Sequence, residues 1–134
     1  MPRKPVPLRI SSGWAVVFNI FVEWSREDPA DVAEAMSFLS EDILSVEQVR
    51  GVGGGRATDP GGTIIDLGWA PNGDIDGEYT LSVLRGGWDG DVVELQHPDW
   101  RVVRDALDLT FAKLVGNRSP TEYLAEDFAR LSAT

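Results

Sequence analysis

The first regular pattern along the chain is an alternation of apolar positions over residues 13–24, GWAVVFNIFVEW. Successive side chains of a strand point to opposite faces, and here both faces are mostly apolar. One face would carry Trp14, Val16, Phe18, Ile20, Val22 and Trp24. The pattern therefore predicts one long strand that is mostly buried on both sides.

Apolar residues at spacings of three and four predict three helices. The first covers residues 29–39 and follows Asp28 as its N-cap, with Pro29 in the first turn. The second, over residues 100–114, has the most regular spacing, and the third begins at the capping residue Ser119. The spaced apolar residues are Val32, Met36 and Leu39, then Trp100, Val103, Leu107, Phe111 and Leu114, then Leu124, Phe128 and Leu131.

Shorter strands are predicted over residues 43–50, 63–69, 78–86 and 91–96. The connections between them are too short for parallel crossovers, so neighbouring strands should run antiparallel. We therefore expect an α+β fold built on an antiparallel meander of about four to five strands. An amphipathic helix should pack on one face of the sheet, with a short helix after the first strand and a helix at the C-terminus.

Residues 51–62, GVGGGRATDPGG, hold six glycines and one proline. Such a segment buries no apolar face, so we expect a mobile, glycine-rich surface loop. A nucleotide site is not indicated, because the third glycine of a dinucleotide fingerprint would fall at Arg56 and no Gly-Lys-Ser/Thr motif occurs.

Length and composition favour one domain over residues 1–134, with 43% hydrophobic residues to form its core. The chain has no cysteine, which excludes disulfides and sulfur-based metal sites and is typical of a cytoplasmic protein. The longest mostly apolar run, residues 13–24, is too short to span a bilayer. We therefore expect a cytoplasmic location and no membrane partner.

Net charge says more about possible partners than chain length does. There are 22 acidic and 12 basic residues, a net charge of −10, and Arg3, Lys4 and Arg9 lie within residues 1–9, which we expect to form a flexible basic tail. A surface this negative repels phosphate groups, which argues against direct binding of nucleic acid. It favours a basic protein partner, although solubility alone also accounts for acidic charge.

The run NGDIDGE, residues 72–78, resembles part of a calcium-binding loop. In that alignment Val83 occupies the twelfth position, where a bidentate glutamate is required, and strands rather than helices flank the run. The pattern favours a hairpin in which Asn72-Gly73 and Asp76-Gly77 supply turns with positive φ. A weaker cation site or small-ligand site in this loop remains the alternative, and we expect no cofactor.

Catalysis has few candidate residues. The single histidine, His97, precedes Pro98 at the start of the second long helix, where capping or surface exposure is its simplest role. No serine lies in a nucleophile-elbow sequence. We therefore expect no enzyme activity. The alternative is a carboxylate-based enzyme, which would require two of the acidic side chains to converge in the folded structure.

Two of the five tryptophans stand beside acidic, glycine-rich turns. Exposed aromatic residues flanked by charge are common anchors of protein interfaces. The two turns should lie at opposite ends of the strand 78–86. The candidate partner-binding residues are Trp69, Asp74, Asp76, Glu78, Trp88, Asp89 and Asp91.

Four segments together give the chain a resemblance to a known family: GWAVVFNIFVE, IIDLGWAP, GEYTLSVLRGGWDGD and the closing amphipathic helix. They resemble small bacterial immunity proteins of contact-dependent growth inhibition and polymorphic toxin systems. The residues that carry the resemblance are Trp14 and Asn19 early in the chain, the run 65–69, and Trp88. An aromatic residue follows the Gly-Trp pair in that pattern, whereas this chain has Ala70.

The resemblance implies a cytoplasmic protein that binds and neutralises a cognate toxin domain one to one, without acting as an enzyme. Such toxins are often nucleases with basic clefts, and an acidic protein would associate with them rapidly at low salt. The expected partner is therefore a basic toxin. If that toxin is a nuclease, the resemblance implies that the immunity protein blocks its active site.

Overall fold

The computed structural model describes residues 3–25, 32–52, 55–59 and 61–134. The order of strands and helices confirms the predicted α+β fold. Its elements are β1 (Trp14–Asn19), α1 (Val32–Phe38), β2 (Leu44–Val52), β3 (Gly55–Thr58), β4 (Thr63–Ala70), β5 (Glu78–Arg85), β6 (Asp91–His97), α2 (Trp100–Lys113) and α3 (Pro120–Ser132).

Six strands form one sheet in the order β1-β2-β4-β5-β6, with β3 paired to β2 outside that path. Every pairing is antiparallel, as the short connections predicted. The register places leucines opposite one another in four strands, at Leu44, Leu67, Leu81 and Leu95. Since side chains alternate along a strand, the adjacent residues of these strands belong to the other face of the sheet.

Helices α2 and α3 cover the leucine face. Val103 and Leu107 of α2 and Phe128 of α3 join the strand leucines in one buried cluster. The Trp14 ring meets the Phe111 ring edge to face, with centroids 5.6 Å apart. Ser119 caps α3 as predicted, its hydroxyl accepting a hydrogen bond from the Glu122 amide at 3.2 Å. None of the described helices combines the length and apolar character needed to cross a membrane.

The N-terminal segment belongs to the core, so the prediction of a flexible tail is wrong for its described residues. The Val6 amide donates to the Phe21 carbonyl at 3.0 Å, and the Glu23 amide donates to the Lys4 carbonyl at 2.7 Å. Val6 is buried beneath this pairing. Burial of Val6 and backbone hydrogen bonds to the segment that follows β1 together hold this basic segment against the domain.

The first strand is shorter and more exposed than its alternation predicted. Regular pairing stops at Asn19, whose side-chain oxygen accepts a hydrogen bond from the Phe21 amide at 2.9 Å and turns the chain. Strand β1 lies at an edge of the sheet, where Val17 is 61% exposed. Phe21 and Trp24 reach the core from beyond the strand.

Two further expectations need correction. The glycine-rich residues 51–62 do not form a single loop, because β2 runs to Val52 and pairs with β3, from Val52 opposite Gly55 to Val49 opposite Thr58. Ladder hydrogen bonds use the backbone alone, so glycines permit the pairing. In α1, Met36 is exposed instead of buried. The predicted cap at Asp28 and the start of that helix lie outside the described residues.

Candidate functional site

The NGDIDGE run is the turn of the β4–β5 hairpin, in which Ala70 pairs with Glu78. The Asp74 carboxylate accepts a hydrogen bond from the Asp76 amide at 2.9 Å and is thereby part of the turn. Among the described residues, no group of three or more acidic, histidine or cysteine side chains is arranged to hold a metal ion. The alternative of a cation site in this loop gains no support from the geometry.

The two glycines of this turn have different roles. Gly73 has a φ of 73°, as a positive-φ turn requires. Gly77 does not have positive φ, contrary to expectation. A Cβ atom there would lie 2.3 Å from the Ala70 carbonyl oxygen, so glycine is required by the close approach of the two chain segments.

Trp69 is a core residue, and the expectation that it anchors a partner is wrong. It is 1% exposed. Its ring packs edge to face against Tyr79, with centroids 4.7 Å apart, and against Trp24 at 5.9 Å. Its Nε1–H donates to the Asp74 carbonyl at 2.7 Å, so the side chain fastens the turn from below.

The β5–β6 turn is built differently. Gly86 and Gly87 have φ values of 79° and 80°, and between them and β6 the Trp88 side chain is 60% exposed. Asp89 is exposed as well. Of the predicted tryptophans, Trp88 alone therefore presents its ring to solvent beside an acidic turn.

Asp91, also a predicted binding residue, instead joins β6 to α3. Its carboxylate accepts hydrogen bonds from the Ser119 hydroxyl and from the Thr121 amide, the latter at 3.0 Å. Burial acts to raise the pKa of Asp91, but the hydrogen bonds from Ser119 and Thr121 and the charge of Arg85 lower it, and the net shift is downward. These contacts commit Asp91 to the fold.

The two turns lie at opposite ends of β5, as predicted. The strand has 8 residues. A span of that length separates the turns by about 27 Å. Asp74 and Asp76 therefore do not form one cluster with Trp88 and Asp89.

The structure reveals an acidic surface on the sheet face opposite the helices, of which the sequence had indicated only Glu78. We call it the open face. In the paired rows of β1, β2, β4, β5 and β6, every charged residue on this face is acidic. These residues are Glu47, Asp66, Glu78 and Glu94. Alternation in TIIDLGW is a signal that could have placed Asp66 opposite the buried Ile65 and Leu67, but only strand pairing shows its neighbours.

A shallow pocket of about 270 Å³ occupies the open face. Its floor comes from the row in which Asp66, Ser82 and Glu94 stand side by side on β4, β5 and β6. Trp88 and Glu41 also line it. This volume lies below the range of about 300–1,000 Å³ usual for small-molecule sites, and is closer to the size of one side chain.

Glycine at position 68 lets the Glu41 segment form one wall. A Cβ atom on Gly68 would lie 2.1 Å from the Glu41 carbonyl oxygen. The segment is held there because the Trp69 amide donates to the Ser40 carbonyl at 2.8 Å, and the Ile43 amide donates to the Leu67 carbonyl at 2.9 Å. Backbone hydrogen bonds to β4 thus hold the wall that contains Glu41 in place.

The pocket is electrostatically unbalanced. Partial burial, and secondarily the negative charge of Asp42, raise the pKa of Asp66. Within the described part of the chain, no lysine or arginine forms an ion pair with Asp66, Glu94 or Glu41. An added positive charge would relieve this repulsion. A carboxylate-based enzyme also needs converging acids, and it stays an untested alternative.

His97 has a structural role at the start of α2. Its Nδ1 accepts a hydrogen bond from the Asp99 amide at 2.9 Å, so the neutral ring carries its proton on Nε2 and donates to the Thr134 carbonyl at 2.9 Å. Both ring nitrogens are thereby occupied away from the open face.

No family model matches the chain, and no curated protein or solved structure matches it either. The resemblance to immunity proteins therefore stays a prediction.

Proposed function

We propose that the protein acts by binding a basic protein partner on its open face, as an immunity protein binds a toxin domain. The observation that carries the proposal is that every charged residue in the strand rows of the open face is acidic, with an exposed Trp88 beside them. Charge of one sign steers a complementary partner, and a central aromatic residue supplies contact area.

The shape of the open face favours a protein over other partners. Glu47, Asp66 and Glu94 are distributed across several strands of a broad sheet, as in a docking surface. Phosphate backbones and anionic lipids would be repelled by these carboxylates. A toxin domain with a basic cleft, which the immunity-protein resemblance implies, has the complementary charge.

The test is association with the protein encoded immediately upstream, measured by surface plasmon resonance at low and high salt. We expect a Kd below about 1 μM at low salt. The association rate should fall as salt rises, because steering charges are screened. Absence of binding at micromolar concentrations and low salt would count against the proposal for that partner.

Matched double variants locate the binding face. Glu78→Gln with Glu94→Gln removes two charges from the open face, whereas Glu122→Gln with Glu126→Gln removes two from α3. The first pair should weaken binding by about tenfold, mainly through the association rate, and the second pair much less. Equal losses for both pairs would show that only net charge matters.

A further inference from the structure

The pocket on the open face is lined by the Ser82 hydroxyl, which has no partner among the described residues. Ser82 is 4% exposed and lines the pocket floor. Its hydroxyl forms no hydrogen bond with any residue in the described ranges. Because the fully buried unpaired polar atoms do not include it, this hydroxyl opens into the pocket and is free to bond a group that enters there.

The neighbours of Ser82 indicate the charge of a ligand that would bind its hydroxyl. Asp66 and Glu94 stand on the adjacent strands in the same row. Neighbouring strands are about 4.8 Å apart, so Asp66 and Glu94 lie on either side of Ser82. A ligand over Ser82 meets an acidic residue on each side, which favours a cation that donates hydrogen bonds.

Trp88, the exposed aromatic residue that lines the pocket, indicates which kind of cation would bind there. The ring of Trp100 elsewhere in the protein gives a comparison. Arg101 and Arg104 lie over the ring of Trp100, with guanidinium carbons 5.0 and 5.4 Å from the ring centroid. Trp88 has no such cation among the described residues, although it is 60% exposed beside three carboxylates. A planar guanidinium stacks on an indole and donates to carboxylates at its edge.

We propose that this pocket binds a guanidinium group, that of an arginine side chain on the basic partner. The group would stack on Trp88 and donate hydrogen bonds to Asp66, Ser82 and Glu94. The pocket volume of about 270 Å³ suits one such side chain. Lysine fits less well, since its ammonium is a compact, strongly hydrated charge without a planar face. The assignment of this arginine to the basic protein partner rests on the proposed function.

The pocket is tested without the partner by titrating the isotope-labelled protein with N-acetyl-arginine amide and following amide and indole resonances by NMR. Shifts should concentrate on the Trp88 indole and on Ser82, with a Kd on the order of 1–10 mM. The uncharged isostere N-acetyl-citrulline amide should produce no comparable shifts. Absence of arginine binding up to about 50 mM, or equal binding of both compounds, would overturn the proposal.

Variants make the assignment specific. Asp66→Asn and Trp88→Ala should each weaken arginine binding at least about fivefold, and Ser82→Ala by a smaller factor. Glu126→Gln, on the helix side, should leave it unchanged. N-acetyl-lysine amide should bind more weakly than the arginine compound, and tighter binding of lysine would contradict a guanidinium site.

The pocket and the proposed function fail in different ways. If the arginine compound binds but the partner protein does not, the pocket is supported and the proposed function fails for that partner. If the partner binds wild type and Asp66→Asn equally well, the open face keeps its role and the arginine pocket is overturned. Loss of partner binding in Asp66→Asn and Trp88→Ala, with both variants folded, supports both.

Discussion

The two turns at the ends of β5 look alike in sequence and use their tryptophans in opposite ways. Trp69 stands in a strand row with Tyr79, on the face that the helices cover, and fastens the β4–β5 turn through the Asp74 carbonyl. Trp88 stands in the β5–β6 turn, outside any strand row, and is exposed over the open face. Trp69 is buried because it belongs to a strand row on the helix-covered face, and Trp88 is exposed because it lies in the turn; the neighbouring glycines and acids do not distinguish them.

The acids divide in the same way. At the β5–β6 turn, Asp91 is bound by the start of α3. Asp89 is exposed, while Asp66 lies in the nearby pocket and forms no ion pair with any lysine or arginine that the structure describes. The molecule thus separates acids that hold the fold together from acids that carry unbalanced charge, and substitutions should distinguish the two classes.

The largest difference is expected between the two tryptophans. Trp69→Ala should lower the free energy of unfolding by about 3–5 kcal/mol, because it leaves a cavity among Trp24 and Tyr79 and removes the hydrogen bond to Asp74. Trp88→Ala should change it by about 0.5 kcal/mol or less, as exposed substitutions do. Urea denaturation of both variants measures the contrast, and similar losses would mean that Trp88 is also part of the core.

The glycines of the two turns should differ by a smaller amount. Gly77→Ala forces a Cβ atom against the Ala70 carbonyl and should cost about 2–3 kcal/mol. Gly87→Ala meets no atom within 4 Å, so only its φ of 80° is penalised, at about 1 kcal/mol. Gly13→Ala, in open space without positive φ, is the control. If Gly77→Ala is as mild as this control, the close approach at Ala70 is not rigid.

The next contrast concerns the aspartates around the β5–β6 turn. Asp91→Ala should cost about 1–2 kcal/mol at neutral pH, because the start of α3 loses its acceptor, whereas Asp89→Ala should stay within about 0.5 kcal/mol. The folded-state pKa of Asp91 is lowered, so its contribution is present above the unfolded pKa and is lost as pH falls through the folded value. Unfolding curves at pH 7 and in acid should show the gap closing; a gap independent of pH would contradict this linkage.

Sequence patterns predicted the fold well where spacing and end signals agreed. Helix α3 is an example, because Ser119 marks its start and apolar residues repeat regularly along it. Alternation could not show that the first strand stops at Asn19, since that depends on one side chain turning the backbone. Composition failed over residues 51–62, because strands β2 and β3 pair through backbone groups that composition does not describe.

The candidate site was predictable only in part. Trp88 was identified because it stands beside an acidic, glycine-rich turn, although the same reason also singled out the buried Trp69. Asp66 was not, although Ile65 and Leu67 on either side of it are buried and place it on the opposite face. The grouping of Asp66 with Ser82 and Glu94 depends on the register of three strands, which no local pattern contains.

The smallest expected effect has the opposite sign and tests why Asp66 carries a charge at all. The folded-state pKa of Asp66 is raised by burial and by Asp42, so stability is lost as pH rises from the unfolded pKa through the folded value. Asp66→Asn should therefore raise the thermal midpoint at pH 7, and the gain should vanish in acid, where both states hold the proton. Asp89→Asn removes one charge from an exposed turn and controls for net charge.

A gain in Asp66→Asn that exceeds the control, together with weaker arginine binding, would show that the pocket retains its carboxylate at a cost in stability. Binding sites commonly keep such destabilising groups, because the ligand supplies the missing opposite charge. If Asp66→Asn instead lowers stability at neutral pH, the carboxylate has a structural partner in solution. Asp66 would then belong with Asp91 among the acids that hold the fold together, and only Glu41 and Glu94 would carry unbalanced charge in the pocket beside Trp88.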